Sequence, residues 1–376
     1  MITFSNTYFD NASTSWPKPV EVGKAMDDFL RKEGGTYGRA AYGRVYHTSM
    51  IVEQCRNALG EMLGVSESGN IAFTANATVG LNAIMSGLDL RGCEVLVSPL
   101  EHNAVMRPLL RLSEKDNVIW KFLPAGSDGR IIPEKVPEVI SSKTSLIIVN
   151  HQSNVNGVLQ PVDELRQYIG QIPLVVDVTQ SLGSESVKGD EWGVDFIAFT
   201  GHKGLLGPTG TGGFFVRHPE KLSPFVFGGT GSCSESFEMP GFSPDKYEAG
   251  THNTVGLTGL LAALNHHPRQ KWEKEKFKKL IQRLRRIKNV RVLAADDFQH
   301  QGGLFSIVHS AYPPSAIARR IYDKFGIEIR SGLHCAPQAH KYLATFPMGS
   351  ARFAFSPWHT NDDLDKLGDA LVEVLK

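Results

Sequence analysis

Between residues 70 and 216 the chain alternates short apolar runs with stretches in which apolar residues return every three or four positions. The runs Asn70 to Thr74, Glu94 to Ser98, Val118 to Phe122, Ser145 to Asn150, Leu174 to Val178, Asp195 to Phe199 and Gly213 to Val216 predict strands. Several lack polar alternation, as expected of strands covered by helices on both faces. Helical spacing at Ser49 to Leu63, Ala77 to Met85 and after Asn103 supplies the layers between them. This alternation predicts an α/β fold with a mostly parallel sheet. Ligands of such sheets sit at the carboxyl ends of the strands. Thr78, His102, Asn154, Asp177, Gln180, Thr200, His202 and Lys203 all follow strand-like runs.

Outside that region the pattern changes. A turn-rich lead from Tyr8 to Pro19 precedes a helix near Val20, and Gly34 to Arg39 reads equally as a connector or a working loop. Pro224 to Asn253 is a long connection rich in Gly, Ser and Pro, and loops of that length are usually functional or disordered. A helix follows from Val255. Lys271 to Lys288 predicts a basic helix with one apolar stripe at Phe277, Leu280, Ile281, Leu284 and Ile287, so its charges read as a solvated face. Strand-like Leu304 to Val308 and Ile327 to Arg330, with helices at Ser315 to Phe325 and from Asp362, predict a smaller α+β unit.

A chain of 376 residues has room for about two domains. Its 41% hydrophobic and 21% charged residues are those of an ordinary globular protein. A net charge of +1 leaves no field to recruit nucleic acid or a membrane surface. The start shows no signal-peptide pattern and no apolar run is long enough for a span, so a cytoplasmic enzyme is expected. Cys55, Cys93, Cys233 and Cys335 are widely spaced with no C-x-x-C, which predicts neither a disulfide framework nor a metal site.

The run ending at Phe199 empties into Thr200-Gly201-His202-Lys203 and then the glycine-rich Gly207 to Gly213. A nucleotide-binding P-loop places its Lys and Ser/Thr after the last glycine. Here the lysine comes first, which excludes that reading and fits an amine that forms a Schiff base with a carbonyl. Such an amine must be partly neutral, as burial near other cations makes it. Asp177 ends another buried run and is costly there unless paired. Either it caps a helix or it faces a cation such as a protonated pyridine nitrogen. Cys335 lies in a Gly- and Pro-flanked loop between Arg330 and Pro337, where Arg330 and His334 bring positive charge that favours a thiolate. Cys55 and Cys93 read as structural, and Cys233 stays open.

Together these motifs resemble fold-type I pyridoxal phosphate (PLP) enzymes of the class V aminotransferase group, specifically the cysteine desulfurase and selenocysteine lyase family. The resemblance covers nearly the whole chain. Asp10-Asn11-Ala12 is similar to the family's opening, and Phe73 to Thr78 to its phosphate-contacting turn. Glu101-His102 resembles its E-H pair, His151 to Asn154 its H-x-x-N, Asp177 to Gln180 its D-x-x-Q, and Thr200 to Lys203 its S/T-G-H-K. Glu248 to Thr254 resembles E-A-G-T-P-N-T with His252 for proline, and Arg330 to Ala336 matches R-x-G-x-H-C-A. His359-Thr360 stands for the usual N-T, and Ala354 for a common serine.

The resemblance implies a large PLP-binding domain over residues 17–254 and a small domain from 1–16 and 255–376. It implies that Lys203 bonds the cofactor and that Ala77, Thr78, Thr200 and His202 meet its phosphate. His102 would stack on the ring, Asn154 meet its hydroxyl, and Asp177 and Gln180 complete the ring's surroundings. Thr251 would reach the phosphate of a partner subunit, which requires a homodimer. Arg352 would take the substrate's α-carboxylate, with Asn11, Asn154 and Arg330 around it. The implied reaction is conversion of L-cysteine to L-alanine: Lys203 takes the Cα proton, His102 shuttles a proton, and Cys335 receives sulfur as a persulfide for an unidentified acceptor. The rivals are selenocysteine lyase activity, another class V aminotransferase, epimerase or lyase, and a non-catalytic sulfur carrier.

Overall fold

The computed structural model describes residues 6–38 and 40–375. Arg39 of the expected 34–39 loop and the first five residues of the expected small domain lie outside them. The large sheet contains β1 (Ile71–Thr74), β2 (Glu94–Val97), β3 (Ile119–Phe122), β4 (Thr144–Asn150), β5 (Leu174–Asp177), β6 (Phe196–Thr200) and β7 (Gly212–Val216). Its order is β1-β7-β6-β5-β4-β2-β3. From β3 to β6 every pairing is parallel, and β7 runs antiparallel between β6 and β1. The small sheet, β10-β11-β9-β8, is antiparallel throughout and is built from β8 (Val290–Leu293), β9 (Leu304–His309), β10 (Arg330–Gly332) and β11 (Ser350–Ala354).

The missing polar alternation has a direct cause. β2, β5, β6 and β7 are buried at every position. One face, with Leu96, Ile147, Val176, Ile197 and Phe215, packs on α2 (Gly43–Leu63), α5 (Val162–Ile169) and α6 (Thr254–Asn265). The other, with Val95, Ile148, Val175, Ala198 and Phe214, packs on α3 (Ala77–Gly87) and α4 (Asn103–Asp116). α1 (Val20–Asp28) lies against α6.

The small sheet is covered by α7 (Lys274–Leu284), α8 (Pro314–Phe325) and α10 (Asn361–Leu375), while α9 (Pro337–Tyr342) follows the cysteine loop. Phe277, Leu280, Ile281 and Leu284 are buried in that core as their spacing predicts, though α7 is shorter than the expected 271–288. Ile327 to Arg330 is not the strand expected. Glu328 pairs instead with the incoming chain, donating to Thr7 O at 2.9 Å and accepting from Phe9 N at 2.8 Å, and β10 begins only at Arg330. Thr360 and Asp363 exchange hydrogen bonds at the start of α10, so Thr360 caps the helix, while the departing His359 is buried and its Nδ1 accepts from Ser356 N at 3.0 Å. Among the described residues no helix is long and apolar enough to cross a membrane.

Candidate active site

A cavity opens at the carboxyl ends of β2, β4, β5 and β6, as the parallel-sheet rule requires. Ala77, Thr78, His102, Asn154, Asp177, Gln180, Thr200, His202 and Lys203 all line it. α3 starts at its rim, with Asn76 capping the helix by accepting from Val79 N at 3.1 Å. A helix N-terminus offers N–H groups and a positive dipole end to an anion. Gly212 lets β7 pass beneath this helix start, because a Cβ there would meet Asn76 Cα at 2.7 Å.

Burial dominates the electrostatics. It lowers the pKa of Lys203 to about 8, with Arg352 and Arg330 adding to the fall and Asp177 opposing it. The amine therefore has a sizeable neutral fraction near pH 7. Asp177 sits at the end of β5, where burial raises its carboxyl and the Thr179 N–H, at 2.9 Å, and the Lys203 charge pull it down. Beside it, Glu101 is fully buried, one oxygen accepting from Asn150 N at 2.7 Å and the other without a partner among the described residues. Burial, then the Asp177 charge, lifts Glu101 well above the carboxylate range. Each of the two buried carboxyls is thus raised, and the Asp177 charge opposes ionisation of Glu101.

His102 caps α4, its Nδ1 accepting from Ala104 N at 3.0 Å. Burial and then the Lys203 charge lower its pKa to about 4, so the ring is neutral with its proton on Nε2. That geometry leaves the His102 Nε2–H and ring face for the cavity. His202 is likewise held neutral near pKa 4 by burial and Lys203, and its Nδ1 is buried without a partner.

The cysteine loop reaches this cavity from the small sheet. Asn154 donates Nδ2 to His334 O at 2.7 Å, and Asn103 N donates to Cys335 O at 2.8 Å. His334 and Cys335 both adopt left-handed backbone, at φ +50° and +56°. Cys335 is exposed, and its Sγ receives Arg330 Nη2 at 3.6 Å. The positive charge expected of His334 is absent, because burial, with Arg352 nearby, drives its pKa to about 2. Its ring turns inward to Ser350, so Arg330 alone of the two carries charge to the thiol.

Arg352 is 1% exposed and donates to Asn154 O at 3.0 Å, Asp10 Oδ1 at 2.9 Å and Ser13 Oγ at 2.9 Å, while its Nε has no partner among the described residues. Asn11 lines a pocket with Lys203 but is largely engaged within the fold. Both its amide protons are committed, to Tyr8 O at 2.9 Å and Ala354 O at 3.0 Å, and its oxygen accepts from Trp16 N, so it ties down the opening segment. Gln180 donates to Ala12 O at 3.0 Å and holds the same segment. Thr251 does not join the cavity within one chain. It is exposed and lines a separate surface pocket with Thr74, Gly210 and His252.

Sequence reading missed Ser13 and the electrostatic coupling of Glu101 to Asp177. Ser13 contacts residues more than 300 positions away, and no local pattern signals that. Glu101 was visible as half of the Glu-His pair, but only the fold shows Asp177 beside it.

Comparison with known proteins gives a consistent result. The profile of the aminotransferase class-V family matches residues 7–367. A Methanothermobacter thermautotrophicus protein named "probable cysteine desulfurase" is 31% identical, the match covering 98% of this chain and 94% of that one. A Halalkalibacterium halodurans protein of the same name is 30% identical over 97% of this chain and 92% of its own. The apo cysteine desulfurase of Thermococcus onnurineus superposes with a TM-score of 0.90 at 27% identity, covering 98% of this chain and 94% of that structure. With the fold, the cavity and these relatives in agreement, the chain belongs to the class-V aminotransferase family.

Proposed function

We propose that the chain is a PLP-dependent cysteine desulfurase that converts L-cysteine to L-alanine and receives the sulfur on Cys335. The observation that carries this reading is the gathering of His102, Asn154, Asp177, Thr200, His202 and Lys203 around one cavity, with Arg330 against the Cys335 thiol on the loop that Asn154 ties to it. PLP fits the residues around the cavity: among the described residues Asn154 Oδ1 and His202 Nδ1 are buried there without partners, and Asp177 takes its hydrogen bonds from Thr179 with no cation in contact. Lys203 would bond the cofactor, Ala77, Thr78, Thr200 and His202 hold its phosphate, and His102, Asn154, Asp177 and Gln180 surround its ring. Bound there, PLP supplies a sink for the electron pair released at Cα.

The chain's own residues supply the rest. Asp177 carries the negative charge that keeps a pyridine nitrogen protonated. Arg352 offers its free Nε–H to the α-carboxylate in a buried site where a charged hydrogen bond is strong. Lys203, partly neutral at pH 7, takes the Cα proton. The Cys335 thiolate attacks the substrate sulfur. An S–S bond forms as the Cβ–S bond breaks, the bonding pair stays with the carbon skeleton, and protonation there gives alanine. Exposure of Cys335 supports hand-over of that sulfur to a separate acceptor.

Thr251, exposed on its own pocket, supports a homodimer in which each copy lends this hydroxyl to the other's phosphate site. Exposed Phe227 and Phe237 in the 224–253 connection supply apolar surface for such an interface. The proposed division is a large domain over residues 17–254 and a small one from 1–16 with 255–376. Free cysteines throughout the described residues fit a reducing cytoplasm.

The test compares alanine release from L-cysteine and L-selenocysteine in wild type and Cys335→Ala, with borohydride trapping at Lys203. Loss of cysteine turnover in the variant and a trapped adduct are expected. Full cysteine activity without Cys335 removes its role, and selenocysteine turnover alone replaces the reading with a lyase.

A further inference from the structure

Arg330 and Arg352 occupy paired positions on neighbouring strands, and like charges so placed repel. Between them stands a single hydroxyl. Ser13 Oγ accepts Arg330 Nη1 at 3.0 Å and Arg352 Nη2 at 2.9 Å, and donates to Asp10 Oδ1 at 2.7 Å. A hydroxyl has one proton and two acceptor sites, so this one is fully used. Asp10 in turn takes Arg352 Nη2 at 2.9 Å.

The two arginines are not held equally. Arg352 keeps Asp10 and the Asn154 carbonyl whatever happens at residue 13. Among the described residues, Ser13 Oγ is the oxygen to which Arg330 donates, and its other contact is Cys335 Sγ at 3.6 Å. We infer that Ser13 is a positioning residue that anchors Arg330 against the thiol of Cys335, at a fixed offset from the carboxylate-binding Arg352. A substrate held by its carboxylate then presents its sulfur to a thiol whose cation is already in place. The inference rests on the desulfurase reading for its kinetic half only.

The experiment uses the holoenzyme with Ser13→Ala and Ser13→Thr. Without substrate, the rate of Cys335 alkylation by iodoacetamide, read by mass spectrometry, falls about tenfold in Ser13→Ala, the worth of one hydrogen bond to a charged group. kcat for alanine release falls in step, KM for L-cysteine stays within about threefold because Arg352 keeps its other partners, and the cofactor spectrum is unchanged. Ser13→Thr, which retains the hydroxyl, restores both rates. In an Arg330→Gln background Ser13→Ala adds nothing further.

Wild-type alkylation in Ser13→Ala overturns the inference, as does a KM that rises while kcat holds, which would place Ser13 on the carboxylate side. If alkylation slows as expected but wild type itself releases no alanine, the desulfurase reading fails and the anchoring of Arg330 stands.

Discussion

Arg330 and Arg352 stand directly opposite each other on β10 and β11, two guanidiniums paired across a small antiparallel sheet. Burial and Arg330 both push the Arg352 pKa down, and Asp10 pushes it back. The sheet accommodates both guanidiniums because Asp10 accepts from Arg352 and Ser13 Oγ accepts from both, and in the proposed function one faces a carboxylate and the other a thiol. Arg352→Lys keeps the charge but loses the planar fork and Nε–H. It should lower kcat/KM for L-cysteine about a hundredfold, mostly through KM, while leaving Cys335 alkylation near wild type. A change confined to alkylation would reverse the assignment of the two arginines.

Asn154 has two faces, with Nδ2 spent on the His334 carbonyl and Oδ1 left buried and unpartnered beside the cavity. Asn154→Asp preserves an acceptor and removes the donor. Backbone hydrogen exchange across residues 333–336 should accelerate about tenfold or more, consistent with loss of one buried hydrogen bond. Unchanged exchange there would show that Asn103 N alone holds the loop.

Acid should destabilise the cofactor-free protein well above the carboxylate range. His151, His340 and His359 are held neutral by burial with pKa values near 4, and His334 near 2. Unfolded, each titrates near 6.5, so below that pH the unfolded chain binds protons that the fold refuses. Stability is therefore whole above pH 6.5 and falls as pH drops toward 4, by about 1.4 kcal/mol per unit for each imidazole. His102 and His202, also near pKa 4, add to this fall, while Glu101, Asp177 and Glu185, whose carboxyls are raised by burial, act in the opposite sense, three groups against six. Urea midpoints at pH 7.5 and 5.5 measure the net effect, and equal midpoints would contradict it.

Arg56 is fully buried and forms a two-armed pair with Glu248, Nη1 to Oε1 at 3.0 Å and Nη2 to Oε2 at 3.2 Å. Glu248 also accepts from Phe73 N and contacts His252 Nε2 at 2.7 Å, so the substituted histidine is built into the anchor of the Thr251 loop. Arg56→Ala strands a buried carboxylate and should cost about 3–5 kcal/mol in chemical denaturation. A loss below about 1 kcal/mol would mean that Glu248 finds another cation or takes up a proton.

The large sheet was legible because strands buried on both faces leave continuous apolar runs, and β2, β5 and β6 fall within a residue or two of where those runs lie. The same holds for the cavity wall, since strand-end residues such as Asp177 and Lys203 gather wherever parallel strands end together. The small sheet was harder. β8 is interrupted by exposed Arg291 between half-buried valines before buried Leu293, and β10 is three residues long, so neither leaves an apolar run to find. What sequence could not reveal were tasks defined by distant contacts: Ser13 between two arginines, Asn11 locked to Ala354, and His334 turned away from the thiol beside it.

The left-handed backbone at residue 335 sets the thiol against the fold that carries it. A residue with a Cβ is disfavoured in that conformation by about 1–2 kcal/mol, whereas glycine adopts it freely. Cys335→Gly should therefore give a protein about 1 kcal/mol more stable in urea and unable to accept sulfur. At this one position the sequence best for the native state and the sequence best for the reaction are different sequences.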